Sequence, residues 1–92
     1  MIIPMQSKQL HPVEKVLIIA LRPSFIGSEF IEEENTLNVV ISCRAFRHLP
    51  VEERIRMVYD IIDNAEELKD APTVIVQAYN QEELDALLET IL

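Results

Sequence analysis

Tryptophan is absent from this chain, and glycine and cysteine occur once each. One glycine rules out the glycine-rich loops that wrap phosphate groups. One cysteine, Cys43, rules out an internal disulfide and any zinc-type cysteine spacing. It suits a reducing compartment. With three Phe and two Tyr, the core must be aliphatic. Basic residues are half as numerous as acidic ones, 8 against 16, for a net charge of −8. A field of that sign repels phosphate backbones at long range and disfavours broad nucleic-acid affinity. Long apolar runs are missing too: the longest, Val16–Leu21, falls far short of the roughly 20 residues that span a bilayer. The opening MIIPMQSKQ has no charged start followed by a long apolar stretch, so a secretory signal is not expected. A cytoplasmic protein with no membrane contact is the expectation.

What is present is material for one small core. Ninety-two residues with 49% hydrophobic side chains suffice for a single domain. We assign it to residues 11–92, after a loose leader over 1–10. His11-Pro12 opens a first helix, with proline at the position where its missing N–H does no harm. Val13, Val16, Leu17, Ala20 and Leu21 recur at helical spacing, and Pro23 ends the run. Phe25 to Ile31 reads as a strand, Glu32 to Asn35 as a polar turn, and Leu37 to Cys43 as a second strand. In the latter, Leu37, Val39, Ile41 and Cys43 share one face. Their close spacing predicts an antiparallel hairpin.

Pro50, Glu52 and Glu53 signal a second helix, predicted to run to about Leu68 on a stripe of Val51, Ile55, Val58, Ile62 and Ala65. A third strand spans Thr73 to Tyr79. Asn80 with Glu83 makes a capping box for a last helix, whose apolar face is Leu84, Leu87, Leu88 and Ile91. The order helix, strand, strand, helix, strand, helix predicts an α+β two-layer sandwich, with helices over one face of a three-stranded mixed sheet. The place of the third strand stays open; if it is parallel, its crossover should be right-handed.

Little here points to catalysis. His11 reads as a capping or solvent-facing residue. His48 is either a surface residue of a basic loop or a contact for a metal or an anion. Cys43 reads as a buried small hydrophobe, with a reactive thiol beside Arg44 and Arg47 as the alternative. The acidic clusters read as solvated faces. Serine elbows and paired metal motifs are missing. The charge is nevertheless uneven: Arg44, Arg47, Arg54 and Arg56 stand against Glu52 and Glu53 only. That is a local +2 on a remainder of −10.

The stretch CRAFRHLPVEERIRMVY resembles the BolA family's turn ending in phenylalanine and its arginine-bearing helix, with Phe46 and Tyr59 at the family's separation. VQAYNQEEL, from Val76 to Leu84, is similar to the family's strand end and following helix start, and VEKVLIIAL fits its first helix. The resemblance implies a BolA-like domain akin to the class II KH fold, which is not an enzyme. It implies as partners monothiol glutaredoxins that handle iron–sulfur clusters, and for some members DNA in transcription regulation. The family's three histidine positions here hold Thr36, Ile55 and Pro72, and none offers an imidazole nitrogen. Iron–sulfur ligation is therefore not expected, nor any other cofactor or metal.

The function read from the sequence is an interaction module, a stress- or redox-linked regulator with a protein partner. Nucleic-acid binding through the Arg44–Arg56 patch is the alternative. Arg44, Arg47, His48, Arg54 and Arg56 are the candidate binding residues. An enzyme using Cys43 with His48 is the third reading. An unpaired sheet edge leaves a monomer or a weak homodimer open.

Overall fold

Residues 10–91 are described by the computed structural model, so most of the leader expected over 1–10 lies outside the described residues. Pro12 opens helix α1 (Pro12–Leu21) behind His11. The His11 ring Nδ1 accepts from the Val13 N–H at 3.1 Å, and the Glu14 carboxylate accepts from the His11 N–H at 2.9 Å. Two N–H groups that a helix start leaves without partners are thereby satisfied. The helix ends where Arg22 turns left-handed, at φ 47°, directly before Pro23. Strand β1 (Phe25–Ile31) and strand β2 (Thr36–Ser42) form the predicted antiparallel hairpin. A 3-10 turn over Glu32–Glu34 and a left-handed Asn35 join them. Asparagine tolerates that conformation better than most side chains.

Helix α2 (Val51–Asp63) is shorter than its sequence pattern suggested. Asn64 stops it, its side-chain amide donating to the Asp60 carbonyl at 2.8 Å, and Ala65 is extended. The apolar pattern continues past that break because a 3-10 turn over Glu66–Leu68 carries Leu68 back into the core. Strand β3 (Thr73–Tyr79) pairs in parallel with β2, giving the order β1-β2-β3. Helix α3 (Gln81–Ile91) follows at once. The Asn80 side chain accepts from the Glu83 N–H at 2.8 Å, and the Glu83 carboxylate accepts from the Asn80 N–H at 2.9 Å, the predicted capping box.

The core lies between one sheet face and the helices. Leu37, Val39 and Ile41 of β2, Val74, Val76 and Ala78 of β3, and Val13 and Leu17 of α1 are buried in it. Phe46, fully buried, pins the connection between β2 and α2. Leu84 is the buried anchor of α3, whereas Leu87 and Leu88 lie on the surface. The expected face on α3 is therefore only partly covered, and the side chain of Ile91 lies outside the described residues.

The outer edge of β3 is not bare. The Thr73 N–H bonds to Asn35 O, so by alternation the backbone groups of Val74, Val76 and Ala78 point away from β2. The Tyr59 hydroxyl donates to Val74 O at 2.6 Å, and Arg54 donates to Ala78 O at 3.2 Å. Two α2 side chains thus occupy two of the strand's three outward carbonyls.

Candidate functional site

The five residues singled out from the sequence do not form one surface. The buried stripe of α2 runs through Arg54, Val58 and Ile62 at successive four-residue steps, while Val51 is 48% exposed. Arg54 itself is only 5% exposed. Its Nε donates to Leu49 O at 2.8 Å, and its Nη1 reaches Ala78 O and Glu83 Oε1 at 3.2 and 2.6 Å. It braces the turn before α2, the end of β3 and the first turn of α3. Arg56 points the other way, its side chain 66% exposed and 3.4 Å from Glu53. The arginine patch therefore shrinks to Arg44 and Arg47. The phase of Arg54 with Val58 and Ile62 was the signal for its burial, outweighed in the sequence by its charge.

Arg44, Arg47 and His48 do come together. With Ser24, Ser42 and Cys43 they line a cleft of about 710 Å³ at the C-terminal ends of β2 and β3, closed on its far side by residues 80–82. Ser42 is 1% exposed, and its hydroxyl has no hydrogen-bond partner. Ser24 Oγ lies 3.2 Å from both Ser42 O and Gln81 Oε1. Cys43 belongs to the core, and burial pushes its thiol above the ordinary value of 9.0, against a smaller pull from the backbone of Ala45 and Phe46. A thiol held protonated is a poor nucleophile. The pairing of Cys43 with His48 gains nothing from this placement beyond proximity.

A second cleft, of about 910 Å³, lies at the opposite end of β3. Tyr59 and Ile62 of α2, Leu68, Ala71, Pro72 and Val74 form its apolar wall, and Asp63, Glu66 and Glu67 its acidic rim. Reasoning from sequence missed it, because it exists only where α2 stops early. Pro72 lies beside Thr36, since Thr36 registers with Thr73 across the parallel pair. Thr36 is buried, its hydroxyl donating to Glu34 O at 3.0 Å. Ile55 packs against the core.

Those three positions are the ones at which the BolA resemblance places histidines. Cys43 and His48, the residues left to substitute, line the other cleft. Among the described residues, no group of three or more His, Cys, Asp or Glu side chains is placed to hold a metal ion. The side chains present do not fit the cluster site that the resemblance implies. Among the described residues no helix is long and apolar enough to cross a membrane.

No family model matches the chain, and no curated protein matches it. Solved structures do. BolA1 from Arabidopsis thaliana superposes with a TM-score of 0.66 at 22% identity, over 77% of this chain and 89% of that one. The BolA domain of SufE1 from Arabidopsis thaliana gives 0.67 at 21% identity, over 82% and 99%. A bol-like protein from Babesia bovis gives 0.65 at 19% identity, over 89% and 98%. The chain has a BolA-like α+β fold.

Proposed function

We propose that this protein is a BolA-type interaction module that docks a protein partner at the Pro72 cleft without giving that partner a metal ligand. The observation that carries the reading is the cleft itself: a solvent-open, mixed apolar and acidic surface built around the position before β3. Two features support it. The fold likeness includes a BolA domain carried within SufE1, the arrangement expected of a module that works beside another unit. Pro72 and Thr36 offer neither imidazole nor thiolate, so the contact has to rest on packing and hydrogen bonds rather than coordination. The partner class suggested by the BolA resemblance is a monothiol glutaredoxin, and the role is regulatory rather than enzymatic.

The test is to mix the protein with a monothiol glutaredoxin, cluster-loaded and cluster-free, on a sizing column with absorbance monitoring. A complex should form in both cases, and the visible spectrum of the loaded partner should not change. Pro72→His should alter that spectrum, because it returns an imidazole to the cleft. Absence of any complex would remove the partner assignment. A spectral change with the unaltered protein would show ligation from a residue not considered, and would overturn the non-ligating role.

A further inference from the structure

We infer that strand β1 is a surface for a second copy of this chain: two molecules pair β1 to β1, antiparallel, about a two-fold axis at Ser28. The surface lies across the sheet from β3, so it stands or falls independently of the Pro72 cleft. The backbone supplies the first observation. Thr73 donates to Asn35 O, which by alternation turns Leu37, Val39 and Ile41 toward β3 and Asn38 and Val40 toward β1. Glu29 and Gly27, their partners on β1, point back at them. Ile26, Ser28 and Phe30 are left with N–H and C=O groups facing outward. Among the described residues no side chain or loop is bonded to those groups, in contrast with Val74 O and Ala78 O on β3. An unpaired edge of this kind is a template for another strand.

The second observation says which strand fits. β1 reads Phe-Ile-Gly-Ser-Glu-Phe-Ile, close to a palindrome about Ser28. A two-fold contact brings the same patch of each copy together, so such a sequence meets itself in register. Ser28 faces Ser28, and Ile26 of each copy faces Phe30 of the other, so all the outward backbone groups find partners. On the helix-covered face, Phe30, 46% exposed, gains Ile26 of the second copy, a residue already packed against the core. On the open face, Phe25, 39% exposed, gains Ile31. The Phe25 ring lies over Gly27, 3.5 Å from where a Cβ would stand, and Gly27 faces Glu29. Other registers fit worse. Centred on Glu29, two carboxylates stand directly opposed, and centred on Gly27, Phe25 meets Glu29. A slip by one residue turns the apolar side chains to the wrong faces.

Charge supplies the third observation. Continued past the strand ends, the Ser28 register sets Arg22 of each copy opposite Glu34 of the other, beside Glu32 and Glu33. All four residues are exposed, and among the described residues none is in an ion pair. Symmetry makes this attraction twice, against the general repulsion of two chains of −8. The contact is therefore a modest one, set by one strand's length.

Sedimentation of the full chain in about 150 mM chloride should show the mass rising from one chain to two at concentrations below about 1 mM. Ser28→Pro deletes the central outward N–H without touching the ladder to β2, and should weaken pairing about tenfold or more with the thermal melt still cooperative. Arg22→Glu should weaken it about threefold, and adding Glu34→Arg to that variant should restore it. Facing Cα atoms of a bonded pair stand about 5.5 Å apart, within disulfide reach. Ser28→Cys should therefore be captured as a covalent dimer under mild oxidation, whereas the unaltered chain, with Cys43 buried, should not. Glu29→Cys, facing Gly27 instead of itself, should cross-link far more slowly. A monomer at every concentration overturns the inference, as does a dimer that persists in folded Ser28→Pro. Faster capture at position 29 than at 28 overturns the register. Should Ser28→Pro fail to fold, the charge exchange decides: no recovery in the double variant overturns the pairing.

Discussion

Arg54 is the side chain whose chemistry is least like its surface-charge appearance. One guanidinium, 5% exposed, holds carbonyls from two separate segments and a carboxylate from a third. Arg54→Ala should lower the unfolding free energy by about 2–4 kcal/mol in urea titrations, because Leu49 O and Ala78 O lose their donor in a dry setting. Glu83→Gln should cost less than about 1 kcal/mol, since its side chain is 43% exposed and solvent screens the pair. The same carboxyl sets a pH signature. The Asn80 N–H and then the Arg54 guanidinium hold Glu83 below its ordinary value of 4.5. A depressed carboxyl stabilises the fold above its unfolded value and loses that contribution as pH falls through the folded one. Stability should therefore fall on acidification below about pH 4.5, and fall less steeply in Glu83→Gln, as read from urea midpoints across pH. None of this was visible in the residue's identity. The sequence reading counted Arg54 as a surface charge, where its spacing from Val58 and Ile62 placed it inward.

Among the elements, those with strong local signals were the legible ones. The capping box at Asn80 and Glu83, the strand Phe25–Ile31 and the strand Thr73–Tyr79 all occur where the sequence put them. Asn80→Ala should cost about 1 kcal/mol of stability in a thermal or urea melt, the usual value of a lost helix cap. The end of α2 was not legible. Ala65 and Leu68 keep the helical period, so periodicity alone could not tell a continuing helix from a stop followed by a 3-10 turn. The deciding interaction is one side-chain amide folding back onto Asp60 O. That local competition opens the Pro72 cleft, so the least predictable element boundary is also the one that shapes a candidate site. The cleft at the C-terminal ends of β2 and β3 was half legible. Arg44, Arg47 and His48 were named from their charge, but the approach of α3 and the unbonded Ser42 hydroxyl depend on β3 lying parallel to β2, an order the sequence left open.

For the molecule as a whole, the charge distribution limits what it can bind. A patch of four arginines would release about four counterions from DNA, for a salt slope of roughly −3.6. With Arg54 buried and Arg56 beside Glu53, two contacts remain, and any duplex affinity should show a slope no steeper than about −1.8 in anisotropy titrations across salt. A steeper slope would mean that other cations join the contact. The stoppers on β3 set a different limit, on assembly. A strand adding to that edge would have to displace Tyr59 from Val74 O and strip the buried Arg54 from Ala78 O. Among the described residues that leaves β1 as the sheet edge open to strand addition. Pairing through one edge closes into a pair and stops, whereas two open edges would permit chains without end. Two plugs, a hydroxyl and a guanidinium, thereby separate a sheet that can pair through one edge from a sheet that could polymerise through both.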